Sequence, residues 1–271
     1  MSNDAQELHT VDEQSLADEL RAAITDREQL ELLYQPVADA HTGEIRSVEA
    51  LIRWQHPVMG QLTPNRFLPV AGQFGLLGLL TDRVLEVALD QLSTWFAREL
   101  LMPITVNLFD DDLQRPELVE FLVGSLLARD VPSNLLELEV TEPALFAHGE
   151  THGTVLASLR AVGMRVSIDD FGTGCATLMR LHDLPADGVK LSRGLVSRVF
   201  DDAVSEQVVT CLIHVAHAAK LTVTAEGVES GELWEHLGDL GCDLIQGHRL
   251  APALTAEKVT NMMLGVTFAP G

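Results

Sequence analysis

Short apolar, β-branched runs alternate along the chain with longer stretches whose apolar residues recur at helical spacing. The runs centre on residues 32–37, 44–54, 104–108, 135–141, 165–169, 188–192, 221–226 and 244–246, which predicts about eight strands. Between them, residues 80–97, 116–129, 154–162, 203–219 and 233–240 read as amphipathic helices. Gly163 and Gly241 stand just before a strand, where a helix is expected to end. An amphipathic helix is also expected near residues 16–24, after a polar, poorly ordered lead over residues 1–12. Strands alternating with helices predict a parallel α/β sheet, most simply a closed (β/α)8 barrel of the TIM type. Asp39-Ala40-His41-Thr42-Gly43 is a turn-rich link suited to a hairpin, so one barrel strand near the N-terminus is expected to run antiparallel. No linker or composition shift divides residues 30–265, and residues 13–271 are read as one barrel domain.

Several of these runs carry polar or acidic residues that do not belong in a buried strand. Successive side chains face opposite ways, and the outer face of a barrel must be apolar to meet its helices. With Ile104, Val106 and Leu108 outward, Thr105 and Asn107 turn inward. The same rule turns in Glu49 and Arg53, Glu137 and Glu139, Asp169, Lys190 and Ser192, and Glu226. Most of these residues fall late in their strand, at the end where such barrels carry their chemistry.

Hydrophobic residues make up 46% of the 271, enough for a large core. The formal charge of -22 disfavours duplex nucleic acid, which needs basic stripes, and disfavours anionic membranes. No run of about eighteen uncharged apolar residues predicts a membrane span, and the first residues lack a secretory pattern. The three cysteines, Cys175, Cys211 and Cys242, lack zinc-site spacing and read as reduced thiols, so a cytoplasmic protein is expected.

Carboxylates gathered inside a barrel raise one another's pKa and are costly to bury unless cations join them. The all-oxygen set Glu49, Asn107, Glu139, Asp169 and Asp170, with Glu226, suits hard ions such as Mg²⁺ or Mn²⁺. Adjacent Asp169 and Asp170 can offer oxygens in two directions, as a pair of ions about 3.5–4 Å apart requires for in-line phosphoryl displacement. Lys190 and Arg53 would add positive charge for water and phosphate.

An ordered series of motifs resembles the EAL-domain cyclic-di-GMP phosphodiesterases. It runs through Tyr34-Gln35-Pro36, Glu49-Ala50-Leu51, Arg53-Trp54-Gln55-His56-Pro57, Val106-Asn107-Leu108, Glu139-Val140-Thr141-Glu142, Asp169-Asp170-Phe171-Gly172-Thr173-Gly174, Lys190, Ala225-Glu226-Gly227-Val228-Glu229 and Gln246-Gly247. The resemblance implies a modified barrel that hydrolyses cyclic di-GMP to linear pGpG. It implies metal ligation by Glu49, Asn107, Glu139 and Asp169, with Asp170 serving a second ion. Lys190 would contact the attacking water, Glu226 would act as metal-site or general-base carboxylate, and Gln246 would assist the water network. Gln35, Leu51 and Arg53 would meet substrate, Arg53 at a phosphate. Glu142 would steady the loop that begins at Asp169, and Glu229 would support the site. A homodimer through the Asp169–Cys175 loop and the following helix is a further implication.

The chain departs from the family pattern at four places. Ser192 stands where the family has an aspartate, so a carboxylate is missing beside Lys190. Cys175-Ala176-Thr177 replaces Tyr-Ser-Ser, Ala71-Gly72-Gln73-Phe74-Gly75 replaces Ala-Glu-Glu-Thr-Gly, and His248 replaces a tyrosine. These departures motivate a second reading, a catalytically degenerate barrel that binds cyclic di-GMP or a protein. His214 and His217 read as helix-surface residues, His148 and His152 as solvated loop residues, and Cys175 as a small loop residue. Leu85, Ala88, Leu89 and Leu92 read as packing.

Overall fold

The structure, a computed structural model, describes residues 13–26, 28–147, 150–172 and 184–265. The lead over residues 1–12, His148 and Cys175-Ala176-Thr177 lie outside the described residues, as does much of the segment expected to pair two copies.

Nine strands form among the described residues: β1 (Leu30–Asp39), β2 (Ile45–His56), β3 (Gly60–Leu62), β4 (Ile104–Leu108), β5 (Leu136–Thr141), β6 (Arg165–Phe171), β7 (Gly188–Leu191), β8 (Thr222–Ala225) and β9 (Leu244–Gln246). Eight close into a barrel in the order β1-β9-β8-β7-β6-β5-β4-β2, with β2 returning to β1. The pairings from β2 through β4 to β9 are parallel, whereas β1 runs antiparallel to both its neighbours. The expected barrel and its expected antiparallel strand are both present. Asp39 makes the first hairpin: its Oδ1 accepts from the N–H of His41 at 3.1 Å and of Thr42 at 2.9 Å. The Thr42 bond and Arg46 hold the Asp39 carboxyl down at about 2.

Outward residues of the strands, among them Val106, Leu138, Val166 and Val223, share one continuous core with the helix Leu77–Phe96 through Leu85, Ala88, Leu89 and Leu92. Each buried valine or leucine among them contributes about 1.5–3 kcal/mol by leaving water. Among the described residues no helix is long and apolar enough to cross a membrane.

A second, smaller core escapes the sequence pattern. Only Val48 and Glu49 of β2 pair with β4; beyond them β2 continues along β1 and turns back into β3. On this extension Trp54 is buried with Leu16, Leu20, Phe67 and Leu76, brought by the helices Glu13–Asp26 and Pro64–Gln73 and the turn after them. The Trp54 indole donates to Gln29 at 3.1 Å and stands edge-on to Phe67. Three residues are too few for β3 to show a period, and Pro64 and Pro69 mask a ten-residue helix.

Candidate active site

The inward residues converge on one ammonium. Lys190 Nζ lies 2.9 Å from Glu49 Oε2, 2.7 Å from Glu139 Oε1 and 2.6 Å from Glu226 Oε1. Those three carboxylates, from β2, β5 and the end of β8, each offer an oxygen within 4.8 Å of the others. Glu49 also accepts from Asn107 Nδ2 at 3.0 Å and from Gln246 Nε2 at 2.8 Å. Gln246 Nε2 donates a second time, to Gln35 Oε1 at 3.2 Å. A close approach fixes the end of β9: a side chain on Gly247 would run into the Val228 backbone.

Asp169 and Asp170 owe their place to a bulge. Ile168 pairs with Val189 and Phe171 with Leu191, so two residues of β6 stand opposite Lys190 alone. Asp170 takes φ +54° and donates its N–H to Asp169 Oδ1 at 2.7 Å. Asp169 remains within the field of Lys190 and Glu49, while Asp170 is exposed. Glu142 accepts from the Gly172 N–H at 3.1 Å, on the loop it was expected to steady.

The charges do not balance. Burial pushes Glu139 well above its ordinary range, against the pull of Lys190, and Glu49, Asp169 and Glu226 add to the rise. Burial likewise raises Asp169, and pushes Glu226 up to about 7. Burial works against Glu49 as well, yet Lys190 and its hydrogen bonds bring Glu49 below its usual value. Burial also opposes the charge on Lys190, but the surrounding carboxylates hold it well above the ordinary lysine range. Neither oxygen of the fully buried Glu139 receives a hydrogen bond. One ammonium facing four carboxylates, with Glu139 Oε1 sharing that ammonium and Oε2 receiving no hydrogen bond, fits a site built to hold additional cation charge.

Above the cluster opens a cleft of about 310 Å³ lined by Gln35, Glu49, Leu51, Asp169, Glu226 and Gln246, with Arg193, Glu229 and His248 at its rim. Arg193 was not singled out in the sequence; its signal was its place directly after Ser192, where the strand gives way to a helix. Its stem lies against Gly227, at φ +69°, and its guanidinium meets Glu229 at 2.5 Å.

Two departures from strand regularity bear on the site, and one expectation, that for His152, is corrected. Arg53 lies on the β2 extension two residues beyond the cleft-lining Leu51, within the field of Glu49, and donates to the Ile52 carbonyl at 2.8 Å. Ser192 is buried directly after β7, and its extended backbone is the N-cap of the helix Arg193–Val196. His152 is fully buried in the helix Glu150–Ala161, 2.7 Å from the Ala144 carbonyl, instead of solvated in a loop. His214 and His217 are exposed as expected, His217 against Asp243 at 2.9 Å.

Fold and site together define a (β/α)8-type barrel with a cation-fitted carboxylate cluster at its mouth. The chain belongs to the EAL domain family, whose profile matches residues 17–253. It is 32% identical over 249 residues to a cyclic di-GMP phosphodiesterase of Pseudomonas aeruginosa, covering 92% of this chain and 42% of the relative. It is 36% identical over 245 residues to the bifunctional diguanylate cyclase/cyclic di-GMP phosphodiesterase MucR of the same organism, covering 90% of this chain and 36% of MucR. The chain therefore spans less than half the length of these curated relatives. Among solved structures, the PaMucR phosphodiesterase in a c-di-GMP complex is 35% identical with a TM-score of 0.85, over 90% of this chain and 99% of that one. The Xanthomonas citri FimX EAL domain, 22% identical with a TM-score of 0.83 over 90% of this chain and 94% of that one, shares the fold.

Proposed function

We propose that this domain hydrolyses cyclic di-GMP to linear pGpG. Divalent ions, Mg²⁺ or Mn²⁺, would be held by Glu49, Asn107, Glu139 and Asp169, with Asp170 serving the second. The observation that carries the reading is Glu139, buried without a hydrogen bond among carboxylates that a single ammonium does not neutralise. Bound there, the ions supply Lewis-acid polarisation of a phosphate and a more acidic water.

The chain's own groups do the rest. Glu226 lines the cleft with Lys190 2.6 Å away beneath it, and the two orient a water toward phosphorus. Glu226, with its pKa pushed up to about 7, takes the water's proton near neutral pH. As the new P–O bond forms, the bond to the ribose 3′ oxygen breaks; that oxygen takes a proton from solvent, and the 5′-phosphate of pGpG remains. Gln246 and Asn107 keep Glu49 in place, while Gln35 and Leu51 shape the cleft against the dinucleotide. Arg53, four residues beyond Glu49, adds longer-range positive charge toward the phosphates.

The test is turnover of cyclic di-GMP by the folded domain with Mg²⁺ or Mn²⁺, with Glu49→Ala as control. Absence of pGpG with both metals overturns the proposal. A receptor that binds without hydrolysis is the second reading, favoured by Ser192, which leaves no carboxylate at that position beside Lys190. Calorimetric binding that needs no metal and yields no product supports it, and activity that appears only in Ser192→Asp would establish it. Pairing of two copies around the Asp169–Cys175 segment belongs to the first reading and is measured by light scattering.

A further inference from the structure

Beneath the carboxylates, on the side away from the cleft, a cavity of about 40 Å³ lies among Ser47, Thr105, Ser167, Lys190, Thr224 and Gln246. One water needs roughly 10–15 Å³. Barrels of this type usually fill their interior with branched apolar side chains. Here four short hydroxyl residues share the wall with Arg46, Glu137 and Arg165, and Gly188, paired with Ser167 and two residues before Lys190, contributes no side chain. A methyl group on Gly188 would stand 3.9 Å from the Ser167 Cβ, so the glycine leaves that side of Ser167 open.

Two polar atoms in this wall have no hydrogen-bond partner, Ser167 Oγ and Gln246 Oε1. Both residues are only 3% exposed. Gln246 Nε2 is committed to Glu49 Oε2 and Gln35 Oε1, both acceptors, so Oε1 is turned away from them. A buried carbonyl left unpaired is destabilising on the same scale as the bond to Glu49 that this orientation makes possible. The amide therefore needs a donor on its Oε1 side; Lys190 is held by three carboxylates, Arg46 by Asp39 and Arg165 faces Glu137, and no lining side chain donates to Oε1 directly.

We infer that ordered water occupies this cavity, accepting from the Ser167 hydroxyl and donating to Gln246 Oε1, with Thr105 and Thr224 as its remaining partners. Ser167 is thereby a positioning residue. Through the water it locks the Gln246 amide in the orientation that donates to Glu49, and so holds Glu49 at the mouth. The kinetic consequence rests on the proposed phosphodiesterase reading; the water does not.

A high-resolution crystal structure of the whole domain, with side-chain amide NMR, tests the inference. Density for water within hydrogen-bond distance of both atoms is expected, together with a single Gln246 amide resonance pair. Ser167→Val replaces the hydroxyl with a methyl that enters the cavity. It should expel the water, shift the Gln246 resonances and lower kcat about tenfold with KM little changed. Its melting temperature should fall somewhat, because the expelled water leaves the buried Gln246 carbonyl unpaired, whereas a merely structural role would lower it without moving the Gln246 resonances or splitting kcat from KM. Ser167→Ala leaves room for the water and should show smaller shifts in the same directions, which serves if the valine variant does not fold. Wild-type protein without water at this place, or a Ser167→Val domain with unchanged Gln246 resonances, overturns the inference. Water and shifted resonances in a domain that never makes pGpG would sink the phosphodiesterase reading and leave this one standing.

Discussion

Asp112, in the turn after β4, and Glu139, in the middle of β5, are both fully shielded from solvent, yet their surroundings treat them in opposite ways. Asp112 Oδ2 accepts from the Thr81 hydroxyl at 2.7 Å and the Phe109 N–H at 2.9 Å, and Arg115 stands 3.5 Å from Oδ1. Its charge is consumed locally, tying the helix Leu77–Phe96 to the strand end. Glu139 shares one ammonium with Glu49 and Glu226 and receives no hydrogen bond. Burial raises the pKa of both. Burial alone therefore does not mark a functional carboxylate; unmet demand for positive charge does.

The largest effect is expected from removing the one cation the cluster already has. Lys190→Met leaves Glu49, Glu139 and Glu226 without a counter-charge and should cost about 3–5 kcal/mol in chelator near neutral pH. Urea denaturation would show the loss shrinking in acid, where the carboxylates protonate, and shrinking again with Mg²⁺ or Mn²⁺. A loss unaffected by acid and by cations would mean that Lys190 serves packing alone.

The comparison itself is broken or upheld by two amide substitutions. Glu139→Gln removes one negative charge from a crowded cluster, so metal-free protein should melt higher while turnover falls by about 10²–10³-fold. Asp112→Asn sets an amide N–H₂ against either Arg115 or the donors on the other side. It should lose about 1–3 kcal/mol with turnover nearly intact. Equal destabilisation by both would erase the distinction.

The same imbalance predicts a pH dependence. Glu226 keeps its proton in the fold between its ordinary 4.5 and about 7, a range in which the unfolded chain has released it. The folded state then binds more protons, so stability in chelator falls as pH rises through that window. Glu226→Gln should flatten the fall. A cation must displace that proton, so cation affinity measured by calorimetry should rise up to about pH 7 and level off above it.

Much of this was legible in the sequence because alternation along a strand survives into the fold. The barrel, its antiparallel first strand and the convergence of Glu49, Asn107, Glu139 and Lys190 all follow from a period of two. What was not legible depends on where a strand stops or slips. That Ser192 caps a helix follows from β7 ending at Leu191. The bulge that sets Asp169 and Asp170 together opposite Lys190 is a property of two strands in register, which neither run carries alone. His152 is buried because its helix begins at Glu150, earlier than its apolar spacing suggests.

The rim supplies a third case, a charge that is paired but exposed, and the smallest expected effect. Arg193 and Glu229 meet at 2.5 Å with more than half of each side chain in water. Such pairs contribute about 0.2–1 kcal/mol, so Arg193→Ala should scarcely move stability. Its effect lies elsewhere. The cleft is lined by Glu49, Asp169, Glu226 and Glu229, and Arg193 is its basic group. An anionic dinucleotide approaching a strongly acidic chain needs that charge to enter, and loses little of it once the phosphates are seated. Arg193→Ala should raise KM several-fold with kcat unchanged, and the difference should shrink at high salt as screening removes the attraction. That is the reverse of Glu139→Gln, which strikes kcat. A fall in kcat at constant KM would instead put Arg193 among the groups that act on the reacting phosphate, and the line between rim and cluster would have to be redrawn.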